Sequence, residues 1–147
     1  MTGQHKFYIL PAVYALLVKD HKVFLLRRAN TAWANGNFTA PAGHVEAGET
    51  PVRAAVRELF EEAGVRAEEK DLEMVYTIFR KSNIDTYAEL IFMVSKWEGE
   101  PKNNEPEKCD SADWFDLDDL PETTHPFLKI ALADIQSGKK KYLEYNY

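Results

Sequence analysis

Glu49, Glu58, Glu61 and Glu62 fall in one short stretch of this 147-residue chain, and the last three lie within five residues of one another. No lysine occurs from Gly43 to Glu69, so the nearby cations are Arg53, Arg57 and Arg66. Carboxylates crowded together with so few counter-charges either face open solvent or hold a metal ion, and spacing distinguishes the two. Glu58 and Glu62 are four apart, which on a helix brings their side chains together. Like charges so placed cost a few tenths of a kcal/mol, roughly, unless a cation offsets them. Mg²⁺ suits such a group, because it takes hard oxygen ligands and keeps waters that substrate phosphates replace. Mn²⁺ accepts the same carboxylate oxygens and is the alternative occupant.

A helix must carry these acids. Thr50 reads as its N-cap and Pro51 as its first residue, with Gly64 as the C-terminal stop. Between them Val52, Ala55, Val56, Leu59 and Ala63 share one arc that would face a core. Arg53, Arg57, Glu58, Glu61 and Glu62 occupy the other side. The preceding loop Gly43–Glu49 contains Gly43 and Gly48, where tight turns cost little.

The run Gly43, five residues, Glu49, seven residues, then Arg57-Glu58-Leu59-Phe60-Glu61-Glu62-Ala63-Gly64-Val65 resembles the Nudix box at every fixed position. Nine constrained positions match over the 23 residues 43–65, which is a specific signal. Arg27-Arg28-Ala29, Pro41-Ala42-Gly43 and Lys96-Trp97-Glu98-Gly99-Glu100-Pro101 are similar to MutT-type members, so the likeness runs from about Ala12 to Ile135. The resemblance implies an α/β/α sandwich with a mixed, mostly antiparallel-flanked sheet, as a single domain over 1–147. It implies that Glu58, Glu61 and Glu62 bind divalent metal, with one of them as the general base. Protonation of such neighbours is coupled, so spacing does not name the base. The Ala42 carbonyl and the loop carboxylate Glu105 would complete the metal site. Arg57 and Glu49 would hold the carboxylates in place. Arg28, Gly43, Phe79 and Thr124 are the candidate substrate contacts.

The activity implied is hydrolysis of a nucleoside diphosphate linked to a group X. A nucleoside triphosphate would give a monophosphate and pyrophosphate. MutT-like purine recognition places an aromatic residue before the box-loop proline and an asparagine before the last helix. Here those places hold Ala40 and Thr124. Trp33, Phe38, Phe79 and Tyr87 are the substitute stacking rings. A proline about fifteen residues past the box marks many ADP-ribose-cleaving relatives, and Val65 to Gly99 contains none. A non-catalytic nucleotide sensor is the contrasting reading, and the intact acids argue against it.

The remaining features set limits. Net charge is −6, which argues against a nucleic-acid polymer as partner but not against a single nucleotide. The lone Cys109 excludes an intramolecular disulfide framework. His5, His21, His44 and His125 form no metal-ligand spacing. The apolar run Phe7–Val18 is too short for a membrane span and is interrupted by Pro11. A cytoplasmic location follows by default, and a homodimer is an admissible assembly. Strands are expected over Tyr8–Val18, Lys22–Arg28, Phe38–Pro41, Leu72–Arg80, Thr86–Trp97 and Ala112–Phe115. Helices are expected over Pro51–Ala63 and Pro126–Ser137, with Glu98–Asp110 a polar loop and the C-terminal tail a strap on the sheet edge.

Overall fold

Residues Ala12 to Leu17 are all buried, so the strand containing them needs a layer on each face. In the computed structural model, which describes residues 3–147, that strand is β1 (Leu10–Lys19). Val13, Ala15 and Leu17 point to one core and Tyr14 and Leu16 to the other. The first core is covered by α1 (Pro51–Glu58) and the π-helical turn that continues it through Leu59–Ala63. The second is covered by α2 (Pro126–Ser137). This is the α/β/α layering that the resemblance implies.

One edge of β1 pairs in parallel with β6 (Thr86–Val94) from Leu10 to Leu17. Its other edge is divided. Ala12–Tyr14 pair with β4 (Ala42–His44), whereas Val18–Lys19 pair with β2 (Lys22–Arg28), both antiparallel. Beyond that short contact β2 joins β3 (Phe38–Thr39) and β7 (Cys109–Asp116). The fork therefore leaves β4 and the far end of β2 on separate arms, with Ala15 N–H donating to the Pro41 carbonyl between them (2.9 Å). On the opposite side β6 pairs with β5 (Leu72–Lys81), and β8 (Tyr142–Tyr145) closes that edge in parallel. The tail is thus the edge strap expected of it.

Most element identities match the sequence reading, but β4 occupies residues expected in the loop that opens at Gly43, the last turn of the first helix is π-helical, and several boundaries move. The first strand begins at Leu10, not Tyr8. β6 stops at Val94 because Ser95 N–H turns away to the Asp71 carbonyl (2.9 Å). β7 starts at Cys109, three residues before Ala112, since Ser111 pairs with Arg27 and Cys109 with Arg28, Asp110 being the extra residue at the register shift between them. Register with β2 overrides their polar composition. No helix among the described residues is long and apolar enough to cross a membrane.

Phe127 anchors α2 to the sheet at 0% exposure, against Tyr14 and Tyr145. Phe127→Ala is expected to cost about 3–5 kcal/mol, as for other aromatic truncations in a core. Chemical denaturation of both forms checks it.

Candidate active site

The carboxylates are set by how the first helix begins and ends. Thr50 Oγ1 accepts from the Arg53 N–H (3.3 Å) and Pro51 supplies the fixed φ of the first turn. After Glu58 the hydrogen-bond pattern widens to a π turn, which ends at Gly64 with φ +70. Sequence periodicity expected one uniform helix with Glu58 on its solvent side. Instead Glu58 is 9% exposed, Glu62 is partly buried, and both lean on β4, while Glu61 stays exposed.

Strand β4 is shaped to receive them. A β-carbon on Gly43 would overlap the Glu58 carboxylate, so this glycine serves close approach. It lies within a strand rather than in a tight turn; the loop's turn is made by Gly48, at φ +85. One residue earlier, the Ala42 N–H donates to Glu62 Oε2 (2.7 Å). Ala42 thereby positions a carboxylate through its amide, beside whatever its carbonyl does.

Arg57 gathers the rest. Its Nε and Nη2 donate to the two oxygens of Glu49 (3.1 and 2.7 Å), a forked pairing. Its Nη1 donates to Glu58 Oε1 (2.7 Å) and Glu61 Oε2 (3.3 Å), and its Nη2 to the His44 carbonyl (3.0 Å). The hydrogen bond from Arg57 holds Glu49 below the ordinary carboxylate range, helped by the Glu46 N–H.

A loop from the far side of the sheet finishes the site. Asn104 Nδ2 donates to the Phe60 and Glu61 carbonyls (3.2 Å each), and its N–H to the Glu62 carbonyl (3.0 Å). Lys102 N–H takes the Ala63 carbonyl (3.0 Å). Carbonyls left open at a helix end are thereby satisfied. The same loop brings Glu105 near enough for its charge to raise the pKa of both Glu58 and Glu62. Glu105 itself pairs with Lys108 (3.2 Å).

Burial pushes the Glu62 carboxyl up to about 8, against the Ala42 hydrogen bond and with the help of Glu58 and Glu105. Burial likewise raises Glu58, partly offset by Arg57. Hard oxygen donors held together against their own repulsion fit a divalent cation such as Mg²⁺. Among the described residues one group, His21, Asp116 and Asp118, places three ligand atoms within 4.8 Å of one another, and the glutamates of the helix stand wider apart than that. That exposed trio is engaged in hydrogen bonds between His21, Asp118 and Gln136.

Of the candidate substrate contacts, Arg28 reaches the site. A register shift at the end of β2 turns Arg27 outward to Asp110 (2.7 and 3.0 Å). Arg28 donates Nε to the Trp33 carbonyl (2.9 Å), and its charge lowers the pKa of Glu62. Phe79 lies on the opposite face of β5 from Arg80, stacked on Tyr147 at 5.6 Å. Thr124 is 3% exposed and its hydroxyl donates to the Pro121 carbonyl (2.7 Å). Sequence reasoning missed Asn104 and the π turn. An asparagine beside the acidic Glu105-Pro106-Glu107 segment was the one signal available for the first.

Arg57→Lys keeps a charge but loses the fork. It is expected to lower activity about 10–100-fold with little change in melting temperature. A second expectation concerns pH. Folded Glu62 titrates near 8, whereas the unfolded chain titrates near the ordinary 4.5, so the folded state holds an extra proton between them. Its contribution is full below pH 4.5 and is lost as pH rises through 8. His125, lowered to about 4 by burial, works oppositely between 4 and 6.5 and is silent above that. In EDTA, stability should therefore fall from pH 6.5 to 8, and Glu62→Gln should flatten the slope. Mg²⁺ should raise the melting temperature more at pH 8.5 than at pH 6.5, read by thermal melts.

A NUDIX domain model matches residues 9–135. The chain is 33% identical over 129 residues to an ADP-ribose pyrophosphatase of Methanocaldococcus jannaschii, covering 86% of this chain and 75% of that protein. It is 32% identical over 123 residues to an 8-oxo-dGTP diphosphatase of Escherichia coli, covering 80% of this chain and 91% of the other. A MutT NUDIX hydrolase from Burkholderia pseudomallei superimposes with a TM-score of 0.79 at 27% identity, over 86% of this chain and 97% of that one. With its box intact and its carboxylates gathered on β4, the chain belongs to the NUDIX family and is a hydrolase of phosphoric anhydride bonds.

Proposed function

We propose that this enzyme is a Mg²⁺-dependent pyrophosphohydrolase that cleaves a nucleoside triphosphate to a nucleoside monophosphate and pyrophosphate. The observation that supports the reading is that Glu58 and Glu62 lean on β4 and Arg57 ties Glu58 to Glu61, while Glu105 and Arg28 lie near enough for their charges to act on Glu62. Glu58, Glu61, Glu62, Glu105 and the Ala42 carbonyl would hold the metal, which when bound polarises phosphoryl oxygens and lowers the pKa of water. The protein's own part is positioning. Arg57 and the space above Gly43 fix Glu58, and the Ala42 amide fixes Glu62. Arg28 supplies positive charge for the polyphosphate. Attack of water forms one P–O bond and breaks the bridging one, and its proton passes to a member of the coupled carboxylate set.

A relative that is a diphosphatase of 8-oxo-dGTP supports the triphosphate reading, as does the absence of proline from Val65 to Gly99. The second reading, ADP-ribose, rests on the similarity to an ADP-ribose pyrophosphatase. Product analysis separates them. Purified enzyme is offered canonical and oxidised nucleoside triphosphates, ADP-ribose, dinucleoside polyphosphates and nucleotide sugars, with Mg²⁺ and with EDTA. Pyrophosphate release from triphosphates in Mg²⁺ alone is expected; turnover confined to ADP-ribose would move the substrate class. Glu62→Gln is expected to lower turnover by roughly 10²-fold or more while the fold persists. Full activity in that variant would defeat the assignment.

A further inference from the structure

The sheet ends at β8, and no strand among the described residues pairs with its outer edge. Its inner edge is in use. Thr77 N–H donates to the Lys141 carbonyl (3.0 Å), and the parallel ladder runs on through Arg80 and Tyr145 without a register shift. Alternate residues of a strand bond to a given neighbour. Leu143 therefore turns its N–H and C=O to β5, and Tyr142 and Glu144 turn theirs outward. An unpaired row of this kind is a template for another strand, and native edges are commonly blunted by proline, bulges or charge. Tyr142-Leu143-Glu144-Tyr145 has no proline and no bulge, and Glu144 is its one charge.

Apolar groups flank this edge on both faces of the sheet. Phe127, Ile130 and Asp134 share one side of α2 by their spacing. Phe127 meets Tyr145 (5.6 Å) and Asp134 accepts from the Tyr76 hydroxyl, so that side looks onto β5 and β8. Ile130 lies between them and yet is 41% exposed. On the opposite face Tyr142 is 51% exposed, and Tyr147 is exposed where it stacks on Phe79. Charge selects the occupant. Exposed Lys139, Lys140 and Lys141 precede the strand, and exposed Glu144 lies toward its other end. A neighbour laid alongside in parallel would set lysines against lysines. A copy related by a two-fold axis runs antiparallel and brings each lysine run toward the other copy's glutamate. The edge is thus its own complement, as an isologous contact requires.

We propose that this enzyme forms a two-fold dimer in which β8 pairs antiparallel with β8 of a second copy, joining the two sheets into one. Tyr142 and Glu144, whose backbone groups point outward, bond to each other across the axis, and Leu143 lies on it. Glu144 is then opposite Tyr142, whose hydroxyl can donate to it, and diagonal to Lys140. The two Ile130 side chains flank the junction on the α2 side. Strand β8 stands three strands from β1, which carries β4. The dimer is therefore independent of which anhydride the enzyme cleaves, and hydrolysis should survive its loss.

Light scattering across a dilution series is expected to read twice the chain mass of 16.9 kDa for the wild type at its upper end. Glu144→Pro removes an outward N–H and spares the ladder to β5, so it should read as a monomer with an unchanged circular dichroism spectrum. Ile130→Asp, on the surface of α2, carries the same comparison should Glu144→Pro fail to fold. Register is read with cysteines. Leu143→Cys should link two copies on mild oxidation, because residues facing each other there have Cα atoms about 4.5 Å apart, within disulfide reach. Glu144→Cys, displaced along the strand from its own copy, should not, and the native Cys109 is buried. A wild type that is monomeric at every concentration would overturn the proposal. So would a dimer that persists in folded Glu144→Pro, or one that links through Glu144→Cys and not through Leu143→Cys. Slow hydrogen exchange at the Tyr142 and Glu144 amides of a monomer would also reject it, by showing that the chain covers its own edge.

Discussion

One guanidinium organises the candidate site. Arg57 is a planar fork with its charge permanently on, and here it binds Glu49, Glu58, Glu61 and the His44 carbonyl. Those partners come from the loop before α1, from α1 and its π turn, and from β4. The bonds that offset crowded negative charge also fix the angle between helix and strand. Carboxylates gathered without that cation would separate, and the pocket over Gly43 would lose the side chain it is shaped to admit.

The divided edge of β1 explains why such a site can form at all. A strand whose whole edge was paired with one neighbour would offer no gap for side chains arriving from two directions. Here β4 leaves at Tyr14 and β2 joins only at Val18, so the amide of Ala42 and the end of β2 face each other across an opening. The Asn104 loop then reaches over from beyond β6 and ties down the last turn of the helix. The exposed carbonyls of a wide turn are satisfied by a side chain distant in sequence.

Much of this was legible in the chain. Thr50, Pro51 and Gly64 bound the helix where their backbone preferences place them, and the box positions named the acids in advance. Other facts depend on neighbours that no local pattern reports. Glu58 reads as a surface residue from periodicity, and it is buried because Gly43 on another element leaves room for it. The π turn is a matter of hydrogen-bond register, which side-chain type does not encode. The commitment of the Thr124 hydroxyl to the Pro121 carbonyl, and the stacking of the adjacent His125 on Trp33, follow from the turn before α2 and not from residue type. Glu89 sits in a run that reads as plain strand, and its partner Arg80 becomes visible only when β5 and β6 are laid in register.

The fork also sets how firmly each arm is held. Strand β4 meets β1 over Ala12–Tyr14 and is tied to the helix by Arg57 and Glu62, whereas β2 meets β1 only at Val18 and Lys19. The arm that carries Arg28 is therefore hinged to the central strand by two residues, and the acids stand on the arm that is fastened at both ends.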